Sequence, residues 1–318
     1  MAGGLMAGDP VAEGSVAAAT DSAPGGTAAT GVRDLASVRD LASAAAGAAG
    51  VTVGTVHDVT GIAAVADFFS DVWQTPRSTP PYPAEVLHSL VHAGGAVHAA
   101  YAQTGERLAG ASVAVFGPPG DADVYSFVAA AVASDRGVGY AVKQAQRVWA
   151  LERGARTMRW TFDPLVGRNA RFNLVKLGAV GTEYLVDFYG PMADGVNDGD
   201  ESDRLTVTWD LFAPPSRTAV EGDRSRTAVE GDRDTAPATH FAPDGDPLAR
   251  RDLSDSHVWC RVPDDIVKLR ADDPVLALRW RHAVREVFTE AFAEGYAATA
   301  MSRDGWYTLT RPSKEGRA

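Results

Sequence analysis

The sequence predicts an α/β (α+β) fold in which helices flank one mixed central sheet of about seven strands. Two observations predict it. Strand-like and helix-like patterns alternate in mixed order between residues 51 and 212. Apolar residues make up 45 % of the 318-residue chain, enough for a substantial core. A C-terminal helix-strand extension follows and is expected to rest on that core.

Taken in order, VTVGTVHDV (51–59) reads as a strand and GIAAVADFFSDVW (61–73) as a helix with Thr60 as its N-cap. PAEVLHSLVHAG (83–94) reads as a second helix, closed by Gly94 and Gly95. AVHAAYAQ and RLAGASVAVFG are two strands joined at Thr104-Gly105, a hairpin signal. DVYSFVAAAVAS is a long strand. The helix after it, 138–152, repeats apolar residues at Val138, Ala141, Val142, Ala145, Val148 and Trp149, close to the helical period. TMRWTFDPL is a strand stopped by Pro164, RNARFNLVKLGAV a helix ending near Gly178, and GTEYLVDFYG and LTVTWDLF two more strands. Beyond them HVWCRVPDD, a long helix at 273–296 and a last strand GWYTLTRP form the extension.

Two segments stand apart. Residues 1–50 are rich in alanine, glycine, serine and threonine, too poor in bulky apolar groups to offset their ordering entropy. They contain VRDLAS twice in tandem, at 32–37 and 38–43, and SRTAVEGDR repeats exactly at 216–224 and 225–233. Perfect short repeats mark places that tolerate insertion. The expected organisation is a disordered tail (1–50), a core domain (51–212), a disordered linker (213–245) and the extension (246–318).

Net charge is −11, with no basic stripe, so nucleic acid is a poor partner. No apolar run approaches the roughly 20 residues of a membrane helix. The opening MAGGLMAGDPVAEG lacks the basic and apolar blocks of a secretory signal, and Cys260 is the only cysteine. A cytoplasmic protein without membrane contact is therefore expected.

The chemistry concentrates in SDRGVGYAVKQAQRVWALERG (134–154). A glycine turn between a strand and a helix presents backbone N–H groups to an anion at the positive helix end. The dinucleotide fingerprint is not met, because Gly137-x-Gly139 is followed by Val142, and no Gly-Lys-Ser/Thr completes a P-loop. A nucleotide-binding oxidoreductase is thereby disfavoured.

Arg136-Gly137-Val138-Gly139-Tyr140-Ala141 resembles the R/Q-x-x-G-x-G/A turn of the GNAT superfamily of acyl-coenzyme A-dependent N-acyltransferases. The blocks WTFDPLVGRNARFNLVKLGA, EYLVDFYGPM, NDGDESDRL and IVKLRADDPVLALRWR are similar to one branch of GNAT-like proteins, over most of 51–212 and 258–308. The resemblance implies acetyl-CoA or another acyl-CoA as cosubstrate, without a metal. Amides of Arg136, Gly137, Val138, Gly139, Tyr140 and Ala141 would hold the pyrophosphate. Strand 125–133 would pair with the pantetheine arm, and an amide near Ala131 or Val132 would donate to the thioester oxygen. The helix 168–178, with Asn169 and Asn173, would flank the cofactor.

The family's tyrosine acid is missing, since Leu174 stands at its place, and strand 124–133 offers no carboxylate base. Tyr184, Tyr189 or Tyr125 could replace the acid, or the thiolate could leave unassisted. Asp163, at a strand end, is either a catalytic carboxylate or a turn cap. Arg168 is either a substrate ligand or a helix start. The acidic run containing Asn197, Asp200 and Glu201 is either an acceptor-binding loop or a solvated one, and it lacks calcium-loop spacing. His88 and His92 sit at i, i+4 with His98 nearby, but without the H-E-x-x-H pattern. Trp149, Trp160 and Trp209 read as core. The implied activity is transfer of an acetyl or other acyl group to a small-molecule primary amine, an amino acid among them, by direct attack in a ternary complex. The alternative is a non-catalytic acyl-CoA-binding protein on the same scaffold.

Overall fold

The structure, a computed structural model, describes residues 34–103, 107–118, 120–132, 137–192, 194, 199–214 and 232–311. The expected Thr104-Gly105 hairpin turn, Arg136, Asn197, residues 1–33 of the expected tail and 215–231 of the expected linker lie outside the described residues.

Among the described residues, twelve strands form one sheet, rather than about seven. Seven belong to the first part: β1 (Val51–Val56), β2 (Ala96–Ala102), β3 (Leu108–Phe116), β4 (Asp123–Ala131), β5 (Thr157–Phe162), β6 (Val180–Leu185) and β7 (Arg204–Asp210). Five more follow: β8 (Ala238–Phe241), β9 (Pro247–Arg251), β10 (His257–Arg261), β11 (Ala297–Met301) and β12 (Trp306–Thr310). Their order is β1-β2-β3-β4-β5-β7-β6-β11-β12-β10-β9-β8. The C-terminal region thus continues the sheet. The junction is narrow: β6 meets β11 at Gly181 and Ala298, where a Cβ on Gly181 would stand 2.8 Å from that of Ala298.

Besides a short helical turn at 232–235, the described residues hold α1 (Leu35–Ala49), α2 (Val59–Trp73), α3 (Ala84–His92), α4 (Val138–Leu151), α5 (Gly167–Ala170), α6 (Ile266–Asp272) and α7 (Pro274–Ala293). A π-helical segment, Arg171–Leu177, continues α5 and ends at Gly178 in the left-handed region. Side-chain alternation divides β2 and β3 between two layers. Val97, Ala99, Ala111 and Val113 meet Ile62, Val65 and Phe69 of α2 and Leu87 of α3. On the other face Ala100 meets Val138 and Val142 of α4. The largest core joins β5–β7, the π-helical segment and α7, and holds Trp160, Trp209, Trp280, Phe288 and Tyr307. Trp149, Trp160 and Trp209 are buried, as the sequence predicts.

Three expectations change. Residues 35–49 are helical, not part of a tail. Asp34 caps the first turn through Ser37 N (2.8 Å), Gly50 closes the last in the left-handed region, and Val38 is buried. Residues 238–241 and 247–251 of the expected linker and extension pair as β8 and β9. Helix α2 is capped by Asp58, which accepts from Gly61 N at 2.8 Å, and Thr60 lies inside it. Among the described residues, no helix is long and apolar enough to cross a membrane.

Candidate active site

Strands β4 and β5 run parallel but pair only from Asp123–Thr157 to Tyr125–Arg159. Asp123 pins this end, accepting from Thr157 Oγ1 (2.9 Å) and Arg159 Nε (2.6 Å). Beyond it, the register of β4 against β3 shifts between Val113 and Ala114, a bulge that bends β4. The result is a wedge-shaped slot between Ser126–Ala131 and Trp160–Phe162. Val132 N donates to Ala109 O of β3 at 2.9 Å. In an antiparallel ladder, amides alternate in direction. Those of Ala129 and Ala131 therefore point away from β3, into the slot, where β4 has no second strand partner. The Ala131 amide therefore faces the slot. Val132 is not placed to donate, because its amide is spent on β3.

Helix α4 begins at the mouth of the slot. Gly137 precedes it in the left-handed region at φ 80°, which only glycine adopts without strain. The first intrahelical donor is Ala141 N, bonded to Gly137 O at 3.0 Å, so Ala141 cannot serve an anion as expected. Val138 and Gly139, one turn earlier, have no carbonyl within the helix to donate to, and the residues Gly137 to Tyr140 stand together at the positive helix end. A Cβ on Gly139 would meet only Phe172 at 3.9 Å and Ala131 at 4.0 Å. The chain itself therefore does not require glycine there. A side chain would instead project into the opening between the π-helical segment and the end of β4. A glycine turn, a helix N-terminus and an unpaired strand edge in one line fit the pyrophosphate and pantetheine of an acyl-coenzyme A. Asn169 lies exposed on α5. Asn173 is buried and its Oδ1 accepts from Trp160 Nε1 at 3.3 Å, so it supports the slot wall rather than its mouth.

On the α4 side of the apex sits Lys143. Its Nζ donates to Ser126 Oγ at 2.6 Å and lies 3.8 Å from the centroid of the Trp160 ring. Burial pushes its pKa down to about 7. No local pattern singles out this lysine, because α4 is covered on several sides and even Gln144, Gln146 and Arg147 are buried.

The opposite face of the slot is open and aromatic. Tyr82, from the α2–α3 connection, packs edge-on to Phe127 of β4 at 5.5 Å. Tyr189, from the β6–β7 connection, has its hydroxyl 3.4 Å from Thr161 Oγ1 of β5. Tyr125 shares this face, and burial raises its pKa. Arg204, the first residue of β7, lies 5.1 Å from the centroid of the Tyr189 ring. None of Tyr82, Phe127 and Arg204 has a sequence signature. They meet only through the fold.

The expected carboxylates and Tyr184 lie in a different setting. Asp163 is bonded by Arg270 and Arg281, and Asp200 by Arg270 Nε (2.6 Å) and Arg281 Nη2 (2.7 Å). Burial alone would raise the Asp163 carboxyl, but the charges and hydrogen bonds of Arg281 and Arg270 hold it below its usual value. Glu201 pairs with Arg285 and His282. Asp203 accepts from Arg285 Nη2 (2.7 Å) and from Tyr184 Oη (2.7 Å). Burial and the Asp203 charge push the Tyr184 hydroxyl well above its ordinary value. Asp163, Asp200, Glu201 and Tyr184 thus bind α6 and α7 to the core domain, and their polar atoms are committed there. Arg168 is exposed on α5.

The histidines do not converge. His98 is buried on the α4 face beside Trp149, with neither ring nitrogen bonded, while α3 carries His88 and His92 on the other side of the sheet. Burial pushes the His98 pKa down to about 3. Among the described residues, His240, Glu286 and Glu290 bring ligand atoms within 4.8 Å of one another, on β8 and α7. Cys260 is fully buried, and burial pushes its thiol pKa up.

No family model matches the sequence, and no curated protein matches it. Similar solved structures are acetyltransferases. An N-acetyltransferase from Staphylococcus aureus Mu50 is 13% identical, with 51% of this chain and 98% of that one covered, at a TM-score of 0.39. A ribosomal-protein-S5-alanine acetyltransferase from Vibrio fischeri is 12% identical over 52% and 96%, at 0.41. A putative acetyltransferase from Salmonella typhimurium, solved with its cofactor acetyl-CoA, is 13% identical over 52% and 98%, at 0.40.

Proposed function

We propose that this protein transfers an acyl group from acyl-coenzyme A to a primary amine of a small molecule. The observation that carries the reading is the slot: two parallel strands that part after three residue pairs, with Gly139 and the start of α4 at its mouth. Ala129 and Ala131 offer their amides to the pantetheine arm as a strand edge does. Gly137, Val138, Gly139 and Tyr140 surround the pyrophosphate, and Asn169 stands beside it. The cosubstrate supplies an activated thioester carbonyl. The chain's own contribution is chiefly to hold amine and thioester in register. Trp160 and the apolar flank of the slot keep water away from its apex. With Tyr184 bonded to Asp203, Tyr189 is the tyrosine assigned to proton donation, from an exposed hydroxyl next to Thr161.

The test is calorimetric titration with acetyl-CoA, with NADH as control, followed by thiol release with a panel of amines. Micromolar binding of the thioester alone and release of free thiol are expected. Gly139→Glu should weaken binding by about 100-fold or more, since it places bulk and negative charge in the mouth, while the fold is kept. Tyr189→Phe should lower kcat with little change in affinity for acetyl-CoA. Failure of acetyl-, succinyl- and longer acyl-CoA alike to bind overturns the reading.

A further inference from the structure

We infer that the acceptor carries a carboxylate next to an apolar or aromatic group, as an α-amino acid does, and that Arg204 receives that carboxylate. This rests on the acyl-transfer reading for the amine, but the anion site stands on its own observations.

Arg204 is only 7% exposed. Its Nη1 donates to the backbone oxygen of Asp203 at 2.8 Å, and its Nη2 meets Met192 Sδ at 3.1 Å. No carboxylate among the described residues comes within ion-pairing distance of it. Arg233, Arg270 and Arg281, buried to a similar degree, each bond to carboxylates. Two acids that neighbour it in the sheet and in the chain are already taken. Asp163, which faces Arg204 by extension of the β5–β7 register, is held by Arg270 and Arg281, and Asp203 by Arg285 and Tyr184. A guanidinium stays protonated in proteins, and a buried charge without a counter-ion is costly. Its planar fork suits a carboxylate.

The surroundings define the rest of the ligand. Tyr189 lies against the guanidinium, and Tyr82 is near enough to both for their charges to be felt. Phe127 and Tyr189 are 41% and 52% exposed. Together with Tyr82 they leave apolar surface bare on the open face of the slot. An acceptor with a carboxylate for Arg204 and an apolar side chain for these rings satisfies both features.

The probes are N-acetyl-L-phenylalanine, which carries the carboxylate, and N-acetyl-L-phenylalaninamide, which lacks it, each titrated into the full chain by calorimetry. Coenzyme A is titrated in parallel. The acid should bind at least about tenfold more tightly than the amide. In Arg204→Gln that preference should vanish while coenzyme A affinity is kept, and Arg204→Lys should retain part of it. Equal binding of acid and amide, binding of neither, or an undiminished preference in Arg204→Gln overturns the inference. If Arg204→Gln fails to fold, the acid–amide comparison in the parent chain and in Arg204→Lys still decides. Absence of coenzyme A binding would instead remove the acyl-transfer reading, with the acid–amide comparison still reporting on Arg204.

Discussion

Lys143 is a buried amine held by a hydroxyl, an amide oxygen and an indole face, with no carboxylate of the described residues among the contacts of its Nζ. Its folded pKa, about 7, lies below the ordinary 10.5. Between those values the unfolded chain binds more protons than the folded one, so stability rises with pH across this window and falls as pH drops toward 7. The slope from this one group approaches about 1.4 kcal/mol per pH unit at its steepest. Lys143→Met should flatten the dependence between pH 7 and 10, and urea unfolding at several pH values measures it. Identical slopes in parent and variant would mean that the amine stays charged in the fold. The same residue shows the limit of sequence reading at this scale. The glycine turn was legible because its chemistry is local, six residues in a row. Lys143, Arg204 and Tyr82 were not, because each acquires its environment from strands and loops distant in the chain. Tyr184 and Asp163 were read as catalytic candidates, yet their setting comes from arginines more than 80 residues away, which no local pattern reports.

At the scale of elements, the strands β1 to β7 and helices α2, α3 and α4 were legible from periodicity and turn signals. Helix α1 was hidden by its composition, although its code was present: Asp34 as cap, Gly50 as stop, and inward positions at Leu35, Val38, Leu41, Ala42, Ala45, Ala46 and Ala49. Alanine supplies helix propensity where bulky residues would supply a moment, and α1 packs closely on α4 as a result. Strands β8 and β9 were masked by the neighbouring exact repeat, and β11, AATAM, is too small-sided to stand out. The junction between the two sets of strands depends on one such small contact. Gly181 and Ala298 share a space in which a second Cβ would stand at 2.8 Å, with Leu205 at 3.3 Å behind it. Gly181→Ala should cost about 1–3 kcal/mol by overpacking. Ala298→Gly, placed in the Gly181→Ala background, should recover much of that loss. A double-mutant cycle by urea unfolding reads the coupling. Strict additivity of the two substitutions would show that β6 and β11 do not meet as described.

For the whole molecule, the C-terminal region is part of the scaffold that shapes the slot. Tyr307 Oη donates to Pro164 O at 2.7 Å, just past β5, and Arg171 Nη1 to Met301 O at 3.2 Å, behind the π-helical segment. Arg270, Arg281 and Arg285 fasten α6 and α7 to the end of β5 and to the segment before β7. Such a buried network is costly to break from one side, because the remaining charges stay desolvated. Arg281→Met should therefore destabilise the protein by about 3–5 kcal/mol near neutral pH. The pH dependence gives a second, independent sign. In the parent, the carboxyls of Asp163 and Asp200 are buried, and the two arginines more than offset that burial to hold their pKa values low. Their contribution is complete above the unfolded carboxyl value near 4 and is lost as pH falls through the lower folded values. With Arg281 removed, burial dominates, the folded carboxyls rise above the unfolded value, and acidification neutralises a charge the fold cannot pair. The gap between parent and Arg281→Met should thus shrink from pH 7.5 to pH 4, as read by urea midpoints at both. A gap that stays constant, or an Arg281→Met as stable as the parent at pH 7.5, would mean that these arginines are solvated and that the C-terminal region does not brace the slot.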